Sequence, residues 1–151
     1  MPADRDRRTR RRAALAIAAF GALAAWGCGS SAITSDRIER AVESTFANLV
    51  QLQVARLKLA PVAASDLEAI AACRRRTGGG FTGAGEWTCT VRWLGPDRRP
   101  LRDTFDVVVT PDTCYTATAE GEQLGGATLK ASDGSEVRNL LYVFEGCFDP
   151  T

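Results

Sequence analysis

The chain has 151 residues, of which 45% are hydrophobic and 25% are charged. These values suit one globular domain and exclude a collagen-like, coiled-coil or wholly disordered protein. The net charge of +1 hides an asymmetry: residues 1–27 contain six Arg and two Asp, whereas the other 124 residues contain 13 basic and 16 acidic side chains. Because nucleic-acid binding requires a basic face, the acidic balance of this larger part predicts no nucleic-acid partner.

The first 27 residues have the pattern of an export signal. A basic run at residues 7–12 is followed by 14 apolar residues, 13–26. A helix of that length reaches about 21 Å, short of the ~30 Å hydrocarbon core of a bilayer. The apolar run is therefore interpreted as the core of a signal peptide, with a short uncleaved anchor as the alternative.

Residues 25–28 resemble the lipobox of bacterial lipoproteins, in which a small residue precedes a lipid-accepting cysteine. Gly27 and Cys28 match this pattern, while Ala25 and Trp26 depart from it. The resemblance implies a diacylglycerol thioether on Cys28. With two or more acyl chains, palmitate among them, the protein would be held stably at the cell membrane. An A-x-A match at residues 22–24 leaves ordinary cleavage and secretion as the alternative.

The domain organisation follows from these assignments: residues 1–27 are a lipoprotein-type signal peptide, 28–35 a flexible tether, and 36–151 a single domain. Apolar residues at three- and four-residue spacing predict an amphipathic helix over 36–58, with Asp36 as its cap. They are Ile38, Val42, Phe46, Leu49 and Leu52. A shorter second helix is predicted over 65–73.

Alternating apolar and polar residues predict the strands. These strands are 86–94, 101–110, 114–119, a short edge strand at 127–130, and 139–148, whose two apolar sides suggest a more central position. The predicted fold class is α+β: one long N-terminal amphipathic helix packed on a four- to five-stranded antiparallel sheet, with two disulfides.

The five cysteines support the same interpretation. Setting Cys28 aside leaves an even number, which in an oxidising compartment suggests two disulfides. Four cysteines allow three pairings, and we favour Cys73–Cys89 and Cys114–Cys147. Zinc binding is not expected, because the spacings contain no C-x-x-C pair and the chain has no His.

A glycine-rich segment at residues 77–85 matches the dinucleotide-binding spacing at Gly78, Gly80 and Gly83. That site needs a strand before the glycines and a helix after them, and here a strand follows. The segment is interpreted as a surface loop closed by Cys73 and Cys89. Arg74, Arg75 and Arg76 beside it could contact anionic headgroups or envelope polymers.

The sequence predicts no catalytic site, no metal and no cofactor. Without His, the Ser-His and Cys-His pairs of nucleophilic catalysis are excluded. The carboxylates Asp103, Asp106, Asp112 and Glu145 show no distinguishing pattern and are predicted to be solvated. The aromatic residues Trp87, Trp93, Tyr142 and Phe144 are predicted to be core, although together they could line a ligand pocket.

Several segments resemble small, uncharacterised lipoproteins and secreted proteins of high-GC Gram-positive bacteria. The resemblance is carried by Gly27-Cys28, the amphipathic helix, Cys73, Gly85-Glu86-Trp87-Thr88-Cys89-Thr90-Val91, Cys114-Tyr115-Thr116-Ala117 and Phe144-Glu145-Gly146-Cys147-Phe148-Asp149-Pro150. It implies an α+β envelope domain and supplies no catalytic or ligand residues.

The expected function is a non-catalytic binding or scaffolding domain on the extracytoplasmic face of the cell membrane. It would be attached through lipid on Cys28 and would meet an unknown envelope protein or polymer. A secreted small-ligand carrier, an enzyme inhibitor and a carboxylate-dependent hydrolase are the alternatives.

Overall fold

A computed structural model describes residues 33–78 and 80–148. The predicted signal peptide, Cys28 and residues 28–32 of the predicted tether lie outside this part. The helix α1 spans Ser35–Arg56, close to the prediction, but its cap is Thr34 rather than Asp36. Thr34 has extended backbone and bridges to Thr82, so its side chain is the one placed to accept from the Arg37 N–H. Ile33 is buried, so packing begins within the predicted tether.

Seven strands follow the helix, and five of them form one antiparallel sheet. The strands are β1 (Ile70–Arg75), β2 (Gly85–Leu94), β3 (Pro100–Val109), β4 (Cys114–Ala119), β5 (Thr128–Lys130), β6 (Glu136–Arg138) and β7 (Val143–Cys147). The sheet order is β1-β2-β3-β4-β7, and β5 pairs with β6 in a separate hairpin. The predicted α+β class, with one helix on an antiparallel sheet, is confirmed.

The helix predicted over residues 65–73 is wrong. A single 3-10 turn, Ala64–Leu67, ends at Glu68, whose φ of 45° lies in the left-handed region. The chain then continues as β1, in which Cys73 lies directly opposite Cys89 of β2. Extended backbone is needed to place Cys73 opposite Cys89, and this requirement overrides the local helix propensity of the alanine-rich stretch.

The prediction of a long, more central last strand over 139–148 is also wrong, since β7 has five residues and lies at the edge of the sheet. The apolar residues on the two sides of the strand predicted over 139–148 have two separate structural explanations. Leu141 is buried from the turn that precedes β7, and Cys147 pairs with Cys114 on the side of the sheet away from α1. Residues 136–138 form β6 of the small hairpin instead.

The core lies between α1 and one face of the sheet. Phe46 of the helix is fully buried, with ring centroids 4.9 Å from Trp93 and 6.0 Å from Phe105. Phe105 also meets Phe144 edge-on at 5.4 Å, so the aromatic contacts cross from β2 to β7. Leu52, predicted on the apolar face, is exposed, and Gln53 beside it is buried.

Both favoured disulfides are present and join directly opposite residues of neighbouring strands. Cys73–Cys89 lies on the core face between β1 and β2, with Cα atoms 4.1 Å apart. Cys114–Cys147 lies on the opposite face between β4 and β7, with Cα atoms 3.9 Å apart. Each bond therefore fixes one pair of strands at the ends of the sheet order.

The edge strand β1 is covered by two carboxylates of α1. Glu43 accepts from the Ala71 N–H and Glu39 accepts from the Cys73 N–H, each at 2.8 Å. The two glutamates are four residues apart and so lie on one side of the helix, matching the two-residue spacing of the strand donors. They occupy edge N–H groups that would otherwise be open to another strand.

Replacing Glu43 with Ala is expected to lower the free energy of unfolding by about 1–2 kcal/mol, because a hydrogen bond from a buried backbone donor to a carboxylate is lost. Glu43→Gln keeps an acceptor oxygen and should recover more than half of the loss. Urea denaturation of the three proteins measures the difference. Equal stability of the Ala and Gln variants would contradict the assigned role.

Candidate binding cleft

An apolar cleft of about 510 Å³ lies where the C-terminal end of α1, the segment after it and the end of β2 meet. Its lining residues are Val50, Val54, Leu59, Ala60, Pro61, Val62, Leu67, Trp93, Leu94, Gly95 and Pro96. None of them carries a charge. The volume falls in the ~300–1,000 Å³ range of small-molecule sites.

One wall of the cleft is shaped by the way α1 ends. Lys58 adopts φ 57°, its N–H donates to the Ala55 carbonyl, and the Leu59 N–H donates to the Val54 carbonyl, each at 3.1 Å. This is a Schellman motif, in which a left-handed residue reverses the chain. Val54 and Leu59 occupy the two positions at which such a motif carries apolar side chains, and both residues line the cleft.

The segment after the motif is held against the helix by side-chain contacts. The Gln51 amide donates to the Val62 carbonyl at 3.0 Å, and Leu67 is buried in the core. Beyond the 3-10 turn, Glu68 pairs with Arg98 of the β2–β3 turn at 3.3 Å. Both partners are largely exposed, so this pair contributes little energy, but it joins the two walls on either side of the cleft.

The small β5–β6 hairpin supports the same wall from outside. The Ser132 N–H donates to the Leu57 carbonyl at 3.0 Å, and Lys58 forms an ion pair with Asp133. The Lys58 ammonium, followed by hydrogen bonds from Ser135, lowers the pKa of Asp133 from 3.8 to about 2. Lys58, which directly precedes Leu59 of the cleft, is therefore linked to the β5–β6 hairpin by an ion pair.

This pair predicts a specific pH dependence. The folded-state pKa of Asp133 lies below its unfolded value. Its contribution to the free energy of unfolding is therefore complete above about pH 4 and is lost as pH falls from 4 towards 2. The difference in Tm between the wild type and Asp133→Asn should therefore be largest near neutral pH and should shrink through that window. A difference that stays constant down to pH 2 would contradict the assignment.

The described residues that line the cleft include no acid, base or nucleophile, and their side chains are suited to contact with apolar groups. Its lining side chains offer dispersion contacts and the removal of apolar surface from water. The only polar side-chain atom among the described lining residues is the indole nitrogen of Trp93. Such a surface distinguishes ligands by shape and hydrophobicity.

Of the four aromatic residues considered for a pocket, the structure places only Trp93 in the cleft lining. Trp87 and Phe144 are core, in agreement with the prediction, and the Trp87 indole donates to the Gly83 carbonyl at 3.2 Å. Tyr142 is exposed rather than core. The four side chains do not form one pocket.

The arginine run beside the glycine segment is largely used within the domain. Arg75 donates to the carbonyls of Thr82 and Ala84, at 3.2 and 3.0 Å. Arg76 pairs with Asp106 at 2.7 Å and with Glu120 at 3.5 Å. The glycine segment lies between β1 and β2. The Phe81 side chain is exposed, and the Phe81 carbonyl accepts from the Ser35 N–H at 2.9 Å.

The prediction of solvated carboxylates is wrong for Asp103, which is only 3% exposed. It accepts from the Thr104 N–H at 2.8 Å and the Leu124 N–H at 3.3 Å. Asp106 is partly buried beside Arg76, whereas Asp112 and Glu145 are exposed. A hydrogen bond from Thr110 lowers the pKa of Asp112.

Asp103 belongs to a set of buried polar side chains that fix the loop between β4 and β7. Asn139 donates to the Leu124 carbonyl at 2.8 Å and accepts from the Leu141 N–H at 3.0 Å. Gln53 of α1 accepts from the Leu140 N–H at 2.7 Å. These bonds satisfy backbone groups of a partly buried loop, which is a structural role.

The motifs around the second disulfide also have a structural explanation. The Tyr115 hydroxyl donates to the Ala41 carbonyl at 3.0 Å and lies 2.9 Å from the Thr45 hydroxyl, and burial raises the pKa of Tyr115. Gly146 lies directly opposite Tyr115, and a Cβ there would be 2.6 Å from the Tyr115 oxygen. A glycine is needed at this position for the ring to reach the helix.

Sequence reasoning missed most of the cleft. Residues 59–64 are entirely apolar but have neither helical nor strand periodicity. An apolar run between two regular elements is a signal that could have indicated a surface-lining segment. It did not specify which wall the run would face, because the chain reversal depends on Lys58 adopting a conformation that favours glycine.

Comparison with known proteins finds no matching family model, no matching curated protein and no matching solved structure. Within residues 33–78 and 80–148, no helix has the length and apolar character needed to cross a membrane. The same residues contain no group of three or more His, Cys, Asp or Glu side chains suited to a metal ion.

Proposed function

We propose that the chain is an exported, lipid-anchored protein of the cell envelope whose domain binds or scaffolds a partner without catalysing a reaction. The observation that carries the proposal is the cysteine pairing. Four of the five cysteines form two disulfides, and the one left over is Cys28, at the lipobox-like position. Disulfides persist in oxidising compartments, which supports placement outside the cytoplasm.

The position of the cleft is compatible with this anchoring. Ile33 lies next to the start of α1, and the cleft is formed at the other end of that helix. Val50, the first cleft-lining residue along α1, is 15 residues from Ser35, which at 1.5 Å each separates the two sites by about 22 Å. A lipid on Cys28 would therefore leave the cleft open to molecules on the extracytoplasmic side.

A second candidate is a secreted small-ligand carrier, which would follow from cleavage after Ala24 rather than before Cys28. The cleft favours this candidate over an enzyme inhibitor or a carboxylate-dependent hydrolase. An apolar concave site binds a ligand directly, whereas glycoside-type hydrolysis requires two carboxyl groups facing one another across the substrate. Both leading candidates share the same binding site and differ in their attachment.

The experiment is incorporation of radiolabelled palmitate in an actinobacterial host, with the wild type and Cys28→Ala compared after membrane fractionation. The expected result is label in the wild-type membrane fraction and no label in the variant. A Cys28→Ser variant, which keeps the size of the side chain, is the matched control and should also be unlabelled.

Intact mass spectrometry of the same samples separates the two candidates. A wild-type mass that begins at Cys28 and includes acyl groups supports the anchored protein. An unmodified chain that begins at Ala25 in the culture medium would replace it with the secreted carrier. A Cys28→Ala protein that remains labelled and membrane-bound would contradict lipidation at this residue.

A further inference from the structure

We propose that the cleft binds a single unbranched hydrocarbon chain, such as the acyl chain of a lipid-derived ligand. This inference rests on the proposed function, because it supplies the ligand class for the binding domain. It goes beyond that function by naming the chemistry of the occupant and the residues that recognise it. The occupant comes from a second molecule rather than from this chain's own anchor.

The lining excludes most other ligand classes on energetic grounds. A peptide bound in extended form brings backbone amides that need partners, and each buried amide without one is costly. Pro61 and Pro96 lack N–H groups, and the neighbouring lining side chains are aliphatic. A charged or sugar-like ligand would lose its hydration, and the lining side chains offer it no partner beyond the Trp93 indole N–H. A hydrocarbon chain has no polar groups to satisfy.

The size of the cleft suits a chain of ordinary acyl length. If a methylene group occupies about 30 Å³, close to the share of a water molecule in the liquid, then 510 Å³ holds on the order of 15 such groups. The walls consist of Val, Leu and Pro side chains with one aromatic ring, Trp93. Surfaces of this kind contact a flexible chain along its length through many small dispersion terms.

The protein's own anchor is a poor candidate for the occupant. The five peptide units from Cys28 to Ile33 reach at most about 18 Å, even when fully extended. Val50, the first cleft-lining residue along α1, is about 22 Å along the helix from Ser35. In the proposed function the acyl chains on Cys28 lie in the membrane, so the occupant of the cleft is assigned to a second molecule, and the Cys28→Ala background removes the anchor from the test.

Trp93 provides a direct test, because it lines the cleft while Trp87 is fully buried elsewhere. The full chain with Cys28→Ala and Trp26→Phe, which lacks its own lipid and the third tryptophan of the sequence, is titrated with stearic acid carrying a nitroxide quencher, and tryptophan fluorescence is followed. The expected result is saturable quenching that is reduced at least fivefold in amplitude when Trp93→Phe is added. Quenching that is unchanged by Trp93→Phe would overturn the assignment to this cleft.

Competition by unlabelled fatty acids and fatty alcohols measures the chain itself. Affinity should rise about fourfold per added methylene over roughly 8 to 14 carbons and then level off as the cleft fills. Equal affinities for acids and alcohols identify the hydrocarbon as the recognised part. Affinity that does not depend on chain length, or stronger competition by an apolar peptide, would overturn the proposal.

Two exposed leucines supply matched variants. Leu59 is 53% exposed and lines the cleft, whereas Leu52 is 56% exposed and lies outside its lining. Leu59→Glu should weaken binding at least tenfold, and Leu52→Glu should change it less than twofold. Both sites are at the surface, so both variants should keep the wild-type circular dichroism spectrum, and Ala60→Phe provides a second, uncharged block of the cleft.

The lipid anchor of the proposed function and the hydrocarbon ligand of the cleft can be contradicted independently of each other. Chain-length-dependent binding in Cys28→Ala, without palmitate on the wild type, would remove the anchor and retain the ligand. Palmitate on the wild type, with no binding of fatty acid or alcohol, would retain the envelope protein and overturn the hydrocarbon ligand.

Discussion

The double variant Cys114→Ala/Cys147→Ala is expected to lose about 4 kcal/mol of the free energy of unfolding. The two residues are 33 apart in sequence, and in the chain-entropy model the loop they close restricts the unfolded chain by roughly that amount. Cys73→Ala/Cys89→Ala, with a separation of 16, should lose about 3 kcal/mol from the same source. The Cys73→Ala/Cys89→Ala variant should lose a further part of its unfolding free energy through lost packing, because Cys89 is fully buried and Cys73 nearly so.

Chemical denaturation of the two double variants, at one pH and without reductant, measures these losses. The order of reduction gives an independent check. Cys147 is exposed and Cys114 partly so, whereas Cys73 and Cys89 lie under α1. Because thiol–disulfide exchange requires access to a sulfur atom, dithiothreitol followed by alkylation should label the 114–147 pair first. Labelling of the 73–89 pair first would contradict the arrangement of the two faces.

The fold was predictable where one physical pattern governs a whole segment. The period of Ile38, Val42 and Phe46 specified the covering helix, and the two-residue alternation from Trp87 to Trp93 specified a half-buried strand. The even cysteine set predicted two disulfides, and the pairing that we favoured among the three possible is the one present. Each of these signals repeats over several residues, so that a single exceptional position does not change the outcome.

The failures occur where one long-range contact decides a local conformation. Residues 70–73 have helix-forming composition, but Glu43 and Glu39 accept their outward N–H groups and Cys89 fixes their register. Neither glutamate is marked in the sequence as a partner of a strand. The pattern of residues 139–142 predicts a strand because Leu141 is apolar, yet the N–H groups of Leu140 and Leu141 bond to the side chains of Gln53 and Asn139.

The cleft could not be predicted for a related reason. It is formed by the end of α1, by the segment directly after it and by the end of β2, which is distant in sequence. The first two meet through the chain reversal at Lys58, and Glu68 pairs with Arg98 beside the cleft. All three of these residues, Lys58, Glu68 and Arg98, adopt left-handed backbone without being glycine. Propensity scales assign low weight to such positions, so the site was invisible to pattern reasoning.

Gly121→Ala is expected to lower the free energy of unfolding by about 3 kcal/mol or more. A Cβ at position 121 would lie 1.6 Å from one carboxyl oxygen of Asp103 and 3.0 Å from the other. The carboxyl group has little room to move, because it is buried and bonded to two backbone N–H groups. Displacing it leaves buried polar groups without partners, at about 1.5–3 kcal/mol for each bond to a charged acceptor.

Gly126→Ala is the matched control, since it lies near Gly121 in the same loop and a Cβ there meets nothing within 4 Å. Neither glycine has the positive φ that would make alanine strained by itself. Gly126→Ala should therefore change the unfolding free energy by less than about 0.5 kcal/mol. A large loss in the control would attribute the effect to the backbone of the loop rather than to Asp103.

A double-mutant cycle isolates the contact between Gly121 and Asp103. Asp103→Ala removes the carboxyl group and should itself cost about 2–3 kcal/mol, because the N–H groups of Thr104 and Leu124 lose their acceptor. In that background the three atoms nearest to the Cβ at 121 are absent, so Gly121→Ala should add less than about 1 kcal/mol. The resulting coupling of about 2 kcal/mol or more would show that Gly121 is required by the carboxyl group. Fully additive losses would instead show that the loop rejects a side chain at 121 whether or not Asp103 is present.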